Sequence, residues 1–595
     1  MDRGHTLAVV VMLLGLNGCG GLDSNHVKVL ADHPAAGRGG SGGSGTAASA
    51  GSAHGGAAGM SAEPSTGGNA AGGAKEPGGM GGNGAFGGTP VAGNAGAPNT
   101  GGPAGQGGGT GAGAAAGMPA TTSGAAGIAG ATGNVDPECV GAGSVEGDVQ
   151  VYAGGESEAL VSRIKGNLTV YVSTKNLSQF RCLTSIDGGL RIESGGGVSG
   201  LDAFGRLESL GGDLTLDNTS LASLSGLKSL TTIGGSLTLK GNQNLLDLGG
   251  LEGIVHLNNI TIDSDPALAN VDALSHVTGQ AGVIEIIGNS RLTSIAGLGG
   301  ITVADDLSIE GEPLLADLTG LEALTRIANH LVITENDVLA NLAGLRSLGQ
   351  SISLELTANP LLHDLTGLEN LTSLQDLEIY GNDSLANLDA LGGLTSLETV
   401  ELSNPNLANL ESLHNVTSIE TLDVSDTPLT TLNGLRNLES VSMITIARTN
   451  VKDLTGLGKA HITSELDVQE NPQLQNLNGL SLDYHDIPSL YIEGNPKLVD
   501  LSGLEMLETV SQSLDIASND LLASLKGFEN LTATASLTLT SNPALTSLAA
   551  LAGLKSIVSG ASIQQNTKLS TCEIQDFVKR CGAPDSYIMD NGPCN

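Results

Sequence analysis

The sequence contains no tryptophan, and its 595 residues include only 6 tyrosines and 5 phenylalanines. A compact enzyme of this length would ordinarily bury much more aromatic surface. A polysaccharide-cleaving enzyme would also be expected to offer aromatic platforms and a converging acid pair. Basic residues are scarce as well: 25 Lys and Arg stand against 62 Asp and Glu, a net charge of −37. That balance excludes a nucleic-acid binder, which needs a basic surface, and favours a basic partner or cations. No Cys-x-x-Cys pair occurs, which removes the usual zinc-site spacing. No Ser-His-Asp or Cys-His set falls within one stretch, so no catalytic residue, metal site or cofactor is assigned, and the chain reads as a non-enzyme.

What the sequence does have begins with an address. Residues 1–19 read MDRGHTLAVVVMLLGLNGC, with Arg3 ahead of a short apolar run from Leu7 to Leu16. That run has the length of a signal peptide and is too short for a permanent membrane span. Leu16-Asn17-Gly18-Cys19 resembles the bacterial lipobox. The resemblance implies a signal peptide over 1–18 and a diacylglycerol on the Cys19 sulfur. Gly20, where an acidic residue would retain such a protein on the inner membrane, points to the outer membrane or cell surface of a Gram-negative bacterium.

Residues 19–33 form the lipidated N-terminus in this reading. Residues 34–135 are Gly, Ala, Ser, Thr, Pro and Asn with almost no charge, a composition expected to form a disordered tether. Its r.m.s. reach is roughly 50–60 Å. Gly39-Gly-Ser-Gly-Gly43 and Gly79-Met-Gly-Gly-Asn-Gly84 match catalytic and dinucleotide-binding patterns. Neither follows a strand pattern or opens a helix, so both are compositional.

After Cys139 a new pattern takes over. An L-x-L piece recurs from Leu168-Thr-Val170 to Ala561-Ser-Ile563 at steps of 22 to 24 residues. This predicts 18 coils, with Val149-Gln-Val151 as an irregular first one. A fixed period in the twenties is a solenoid signature. L-x-L reads as a strand, and the later leucines, three apart, suit a 3₁₀ return. Gly226, Gly320, Gly367, Gly434, Gly456, Gly479 and Gly503 recur in that return and predict a tight bend. Asn or Asp follows most strands (Asn242, Asp265, Asn289, Asn336, Asn359, Asn382, Asn404, Asp426, Asn471, Asn495, Asn519, Asn542), often with Pro directly after. Stacked, these side chains predict a buried amide ladder.

The pattern resembles the leucine-rich-repeat superfamily, in segment 391–435 its internalin-type repeats and in 230–248 the repeats of receptor L-domains. The resemblance covers about residues 140–570. It implies a right-handed stack of parallel strands on one concave face, with few or no regular helices and a binding role. The assigned parts are an N-terminal cap and first coils over 136–189, the solenoid over 190–566 and a C-terminal cap over 567–595. Cys139 and Cys182 are placed to staple the first coils, and Cys572–Cys594 is the preferred pair, leaving Cys581 free or mispaired. Ser570 to Lys579 reads as a capping helix with a capping box, Ser570-x-x-Glu573.

The middle residue of each L-x-L points out of the sheet. That column gives Glu355, Glu378, Glu401 and Asp423 on four consecutive coils, then Asp467, Tyr491 and Asp515. Asp376, Tyr380, Glu465, Glu493, Asp306 and Glu310 flank it. This acidic stripe, with Tyr380 and Tyr491 as its aromatic anchors, is the candidate binding face for a protein or other surface ligand of basic character. His461 and His485 share a register, and with Asp483 and Asp486 they form a weaker candidate for metal. The functions in view are a binding or adhesion module of the envelope, a structural envelope tether, and, least favoured, a β-solenoid enzyme acting on polysaccharide.

Overall fold

One coil shows how the chain is built. In the strand Asp376–Tyr380, Leu377 and Ile379 are fully buried, while Asp376, Glu378 and Tyr380 are half-exposed. The alternation follows from the two-residue period of a strand. Gly381, at φ +60°, turns the chain through a left-handed corner. Asn382 follows, completely buried. Leu385, Leu388, Leu391, Leu394 and Leu397 then enter the core at every third position, and Asp389–Leu391 is a 3₁₀ turn. Three residues per turn keeps those leucines on one side. The next strand, Thr399–Ser403, pairs in parallel with the first, Leu377 opposite Val400 and Ile379 opposite Leu402.

The structure is a computed structural model that describes residues 137–152, 158–171, 177–193, 198, 200–480 and 485–594. The signal segment, Cys19, the glycine-rich segment and Asp483 lie outside the described residues. Within residues 137–594 the coil repeats as a leucine-rich-repeat solenoid. Twenty parallel strands form one sheet, from Val149–Val151 to Tyr587–Met589. The first pairs only with Leu168–Tyr171 and the last only with Ser556–Gln564, so the sheet is open at both ends. The eighteen L-x-L strands lie between and including those starting at Leu168 and Ala561, with every apolar residue in register. The buried leucines and isoleucines make one continuous core from Val151 to Cys581, each contributing about 1.5–3 kcal/mol through burial. No helix among the described residues is long and apolar enough to cross a membrane.

Three features go beyond the sequence reading. Short strands precede the main ones and pair among themselves, five over Gly143–Val145 to Thr232–Ile233 and three over Thr278–Gln280 to Arg326–Ile327. In the later coils they merge with the main strand into single strands of 8 or 9 residues, such as Ser440–Ala447 and His461–Gln469. A last strand, Tyr587–Met589, follows the helix Thr571–Cys581.

The return glycines need correction. Gly367, at φ +113°, does sit at a bend, but Gly434 lies in an ordinary 3₁₀ turn. What Gly434 serves is close approach: a Cβ there would stand 1.8 Å from the Leu410 carbonyl oxygen of the preceding coil.

The polar ladder is present. Asn359 accepts the Asn336 N–H on Oδ1 at 3.1 Å, donates from Nδ2 to the Ile333 carbonyl at 2.8 Å, and gives its own N–H to Asn382 Oδ1 at 3.1 Å. The same pattern joins Thr219 to Asn404 and Thr449 to Asn591. Between the two runs the position belongs to Thr427, not to Asp426. Asp426 is the corner residue, at φ +50°. It is exposed and its carboxylate is held by Arg448 at 2.7 and 2.8 Å. Thr427 is buried and its hydroxyl has no partner among the described residues. Glu312, which the sequence reading passed over, occupies a ladder position.

Both ends are stapled, by Cys139–Cys182 and Cys572–Cys594, with Cα separations of 5.6 and 5.1 Å, while Cys581 is free and buried. Ser570 stands at the N-cap of the helix without a side-chain cap bond. The capping box is not formed. Glu573 instead turns to the preceding coil, where its Oε1 accepts from Ser547 Oγ at 2.8 Å and from the Leu548 N–H at 2.6 Å. Gly582, at φ +61°, closes the helix.

Candidate functional site

The acidic column is positioned by the strand register. Glu355, Glu378, Glu401 and Asp423 are direct Cα partners on four successive parallel strands. Thr445, Asp467, Tyr491 and Asp515 continue the column without a gap. Neighbouring strands are about 4.8 Å apart, so the carboxylates face one another across short distances. All of the column residues are half-buried. None of these acids has a salt-bridge partner among the described residues.

The side chains settle this crowding locally. Tyr380 donates its hydroxyl to Glu401 Oε2. Ser425 Oγ donates to Asp423, and Gln469 Nε2 to Asp467. These hydrogen bonds do not offset desolvation. Burial, with Glu401, Glu355 and Asp376 close by, pushes the Glu378 carboxyl above its ordinary range. Burial and Asp423 do the same to Glu401. Asp423 is raised by burial too, partly countered by Ser425 and Arg448. Asp467 and Asp515 are both pushed up to about 6, chiefly by burial, with Glu465 and then Glu493 adding to the first and Glu493 to the second. Glu465, in the flanking column, is raised by burial alone. In most of the column, burial thus works against the ionised form, which a cation would stabilise.

One cation approaches, and the sequence reading did not single it out. Arg448 sits at a left-handed corner, φ +53°, between the corner residues Asp426 and Glu470 of the coils on either side. It binds Asp426 with both guanidinium arms and reaches Glu470 at 3.4 Å. Its charge is thus committed to the corners rather than to the column. The signal in the sequence was the shared offset of Asp426, Arg448 and Glu470, each four residues after the first apolar residue of its strand.

Tyr491 stands in the acidic column between Asp467 and Asp515. Tyr380 stands beside it, two residues along the strand from Glu378. The histidine candidate rests in part on Asp483, which lies outside the described residues. His485 lies in a left-handed conformation and turns Nδ1 to the Met506 carbonyl at 3.0 Å and to Glu508 at 3.3 Å, on the following coil. No group of three or more His, Cys, Asp or Glu able to hold a metal ion is found among the described residues.

No family model matches the sequence, and no curated protein does. Solved structures with a similar fold include a leucine-rich-repeat protein of Leptospira interrogans, 18% identical, covering 69% of this chain and 91% of that one at a TM-score of 0.35. An internalin from Listeria monocytogenes is 16% identical, covering 65% and 88% at 0.30. A leucine-rich-repeat protein from Bacteroides eggerthii is 12% identical, covering 72% and 70% at 0.32.

Proposed function

We propose that this chain is an exported, envelope-anchored binding protein whose solenoid presents the acidic column to a basic partner, most naturally a protein segment rich in Lys or Arg. The observation that carries the reading is the run Glu355, Glu378, Glu401, Asp423. Four carboxylates lie in strict register on adjacent strands, half-buried and without a basic residue paired to them. Like charges at this spacing repel, so the arrangement costs stability that a cationic ligand would return. Two disulfides accord with an oxidising compartment outside the cytosol. Anchoring rests on the lipobox resemblance at Cys19.

The test is binding of a cationic polypeptide, polylysine, to the wild-type chain and to a variant carrying E355Q, E378Q, E401Q and D423N. The reading expects at least a tenfold loss of affinity in the variant and steep weakening with salt. Unchanged affinity would remove the column as the contact face. A purely structural tether would instead give envelope defects on deletion that the four-site variant rescues fully.

A further inference from the structure

Each ladder asparagine performs two tasks. Its Oδ1 accepts the backbone N–H of the ladder residue one coil earlier, and its Nδ2 donates to a strand carbonyl of that earlier coil. Asn242 reaches Leu216, Asn289 reaches Ile262 and Asn336 reaches Ile309, at 3.0 Å in each case. Asp265 and Glu312 stand in the same ladder, fully buried, and can perform only the first task when ionised. Asp265 Oδ1 accepts the Asn242 N–H. Glu312 Oε1 accepts both the N–H and the Nδ2 of Asn289, each at 2.9 Å. The remaining oxygens, Asp265 Oδ2 and Glu312 Oε2, are buried with no partner among the described residues. By the ladder register, the carbonyls an amide would reach from these two positions are those of Leu239 and Ile286.

We propose that Asp265 and Glu312 enter the ladder as neutral carboxylic acids, each proton supplying the donor that an amide supplies elsewhere, so that the coils around them form a pH-sensitive seam. An ionised carboxylate here would bring an unpaired buried oxygen against acceptors only, the costliest way to bury a polar group. A protonated one gains a donor of the required kind.

The N–H donors of Asn242 and Asn289 favour the ionised forms but are outweighed by burial, and no cation is free to help them. The ladder neighbours on both sides, Asn242, Asn289 and Asn336, are neutral. The charged groups on the packed strands and corners are Asp217, Lys240, Asp263, Glu285, Glu310 and Glu335. The one cation, Lys240, is engaged by Asp263 at 2.8 Å. Burial pushes Asp265 up to about 6, Asp263 adding to the rise, and pushes Glu312 up to about 7 with no charged neighbour contributing.

Folded values above the unfolded ones mean that the seam is strongest below about pH 4. Its contribution is lost as pH rises, through about 6 for Asp265 and about 7 for Glu312.

The experiment compares the unfolding of the full wild-type chain with that of D265N and E312Q between pH 4 and 8. The amide variants keep the shape and remove the titration, and the acids of the half-buried column, common to all three, cancel in the difference. Each variant should gain on the wild type as pH rises, by roughly 100-fold in the unfolding constant for D265N. A difference that is the same at pH 4 and pH 8 overturns the proposal. Should E312Q fail to fold, D265N carries the comparison. The protonated-carboxyl infrared absorption at pH 5 should be weaker in D265N than in the wild type by one carboxyl, and equal absorption in the two also overturns the proposal.

Discussion

Asn359 illustrates what one side chain supports in this fold. Its amide and N–H connect three coils, and none of its polar atoms faces water. Asn359→Ala strands the Asn336 N–H and the Ile333 carbonyl, and should destabilise the solenoid by about 2–4 kcal/mol; urea unfolding measures this. Much of this was legible residue by residue, because Asn at a fixed offset after L-x-L has few reasons to recur besides local backbone bonding. The misreadings came from taking residue type over offset. Asp426 is an Asx residue one place too early, while Glu312 and Thr427 are not Asx at all. Pro313 and Pro428, in the register of Pro266 and Pro360, marked both positions correctly. Glu573 was misread for the opposite reason. A capping box is a local pattern, and the contact that won joins residues 25 and 26 positions apart.

Among the elements, the repeating main strands and the helix at Thr571–Cys581 were foreseeable, and the short accessory strands and the last strand were not. The two-residue strands such as Thr232–Ile233 bury one side chain each and leave no periodic trace. Tyr587–Met589 pairs with Ser556–Gln564 without a leucine of its own. That final strand stays in place through the Cys572–Cys594 bond, which bridges 22 positions. Closing a loop of that size contributes about 3 kcal/mol. Cys594→Ser should therefore fray the last coils first. Hydrogen exchange should quicken over residues 556–594 while residues 237–310 stay protected; uniform acceleration along the chain would contradict this picture.

For the molecule as a whole the dominant property is charge. The acidic column was legible because strand alternation fixes which residues face outward, but its partial burial was not, since depth depends on the neighbouring side chains. That burial sets a direction for pH dependence. Asp467 and Asp515, at about 6, lose charge on acidification, and the raised Glu378, Glu401 and Asp423 follow. Affinity for polylysine should fall severalfold between pH 7.5 and pH 5, and titration calorimetry at constant ionic strength checks it. Over the same interval the fold itself gains stability, so weaker binding in acid cannot be ascribed to unfolding.

The break at Thr427 has a mechanical consequence. Thr219 to Asn404 and Thr449 to Asn591 act as two splints butted end to end, and the joint falls on the coil that carries Asp423. At that joint the strand ladder and the leucine core hold the coils together without the buried amide splint, so a ligand spanning Glu401 to Asp467 would brace the place where the splint is missing.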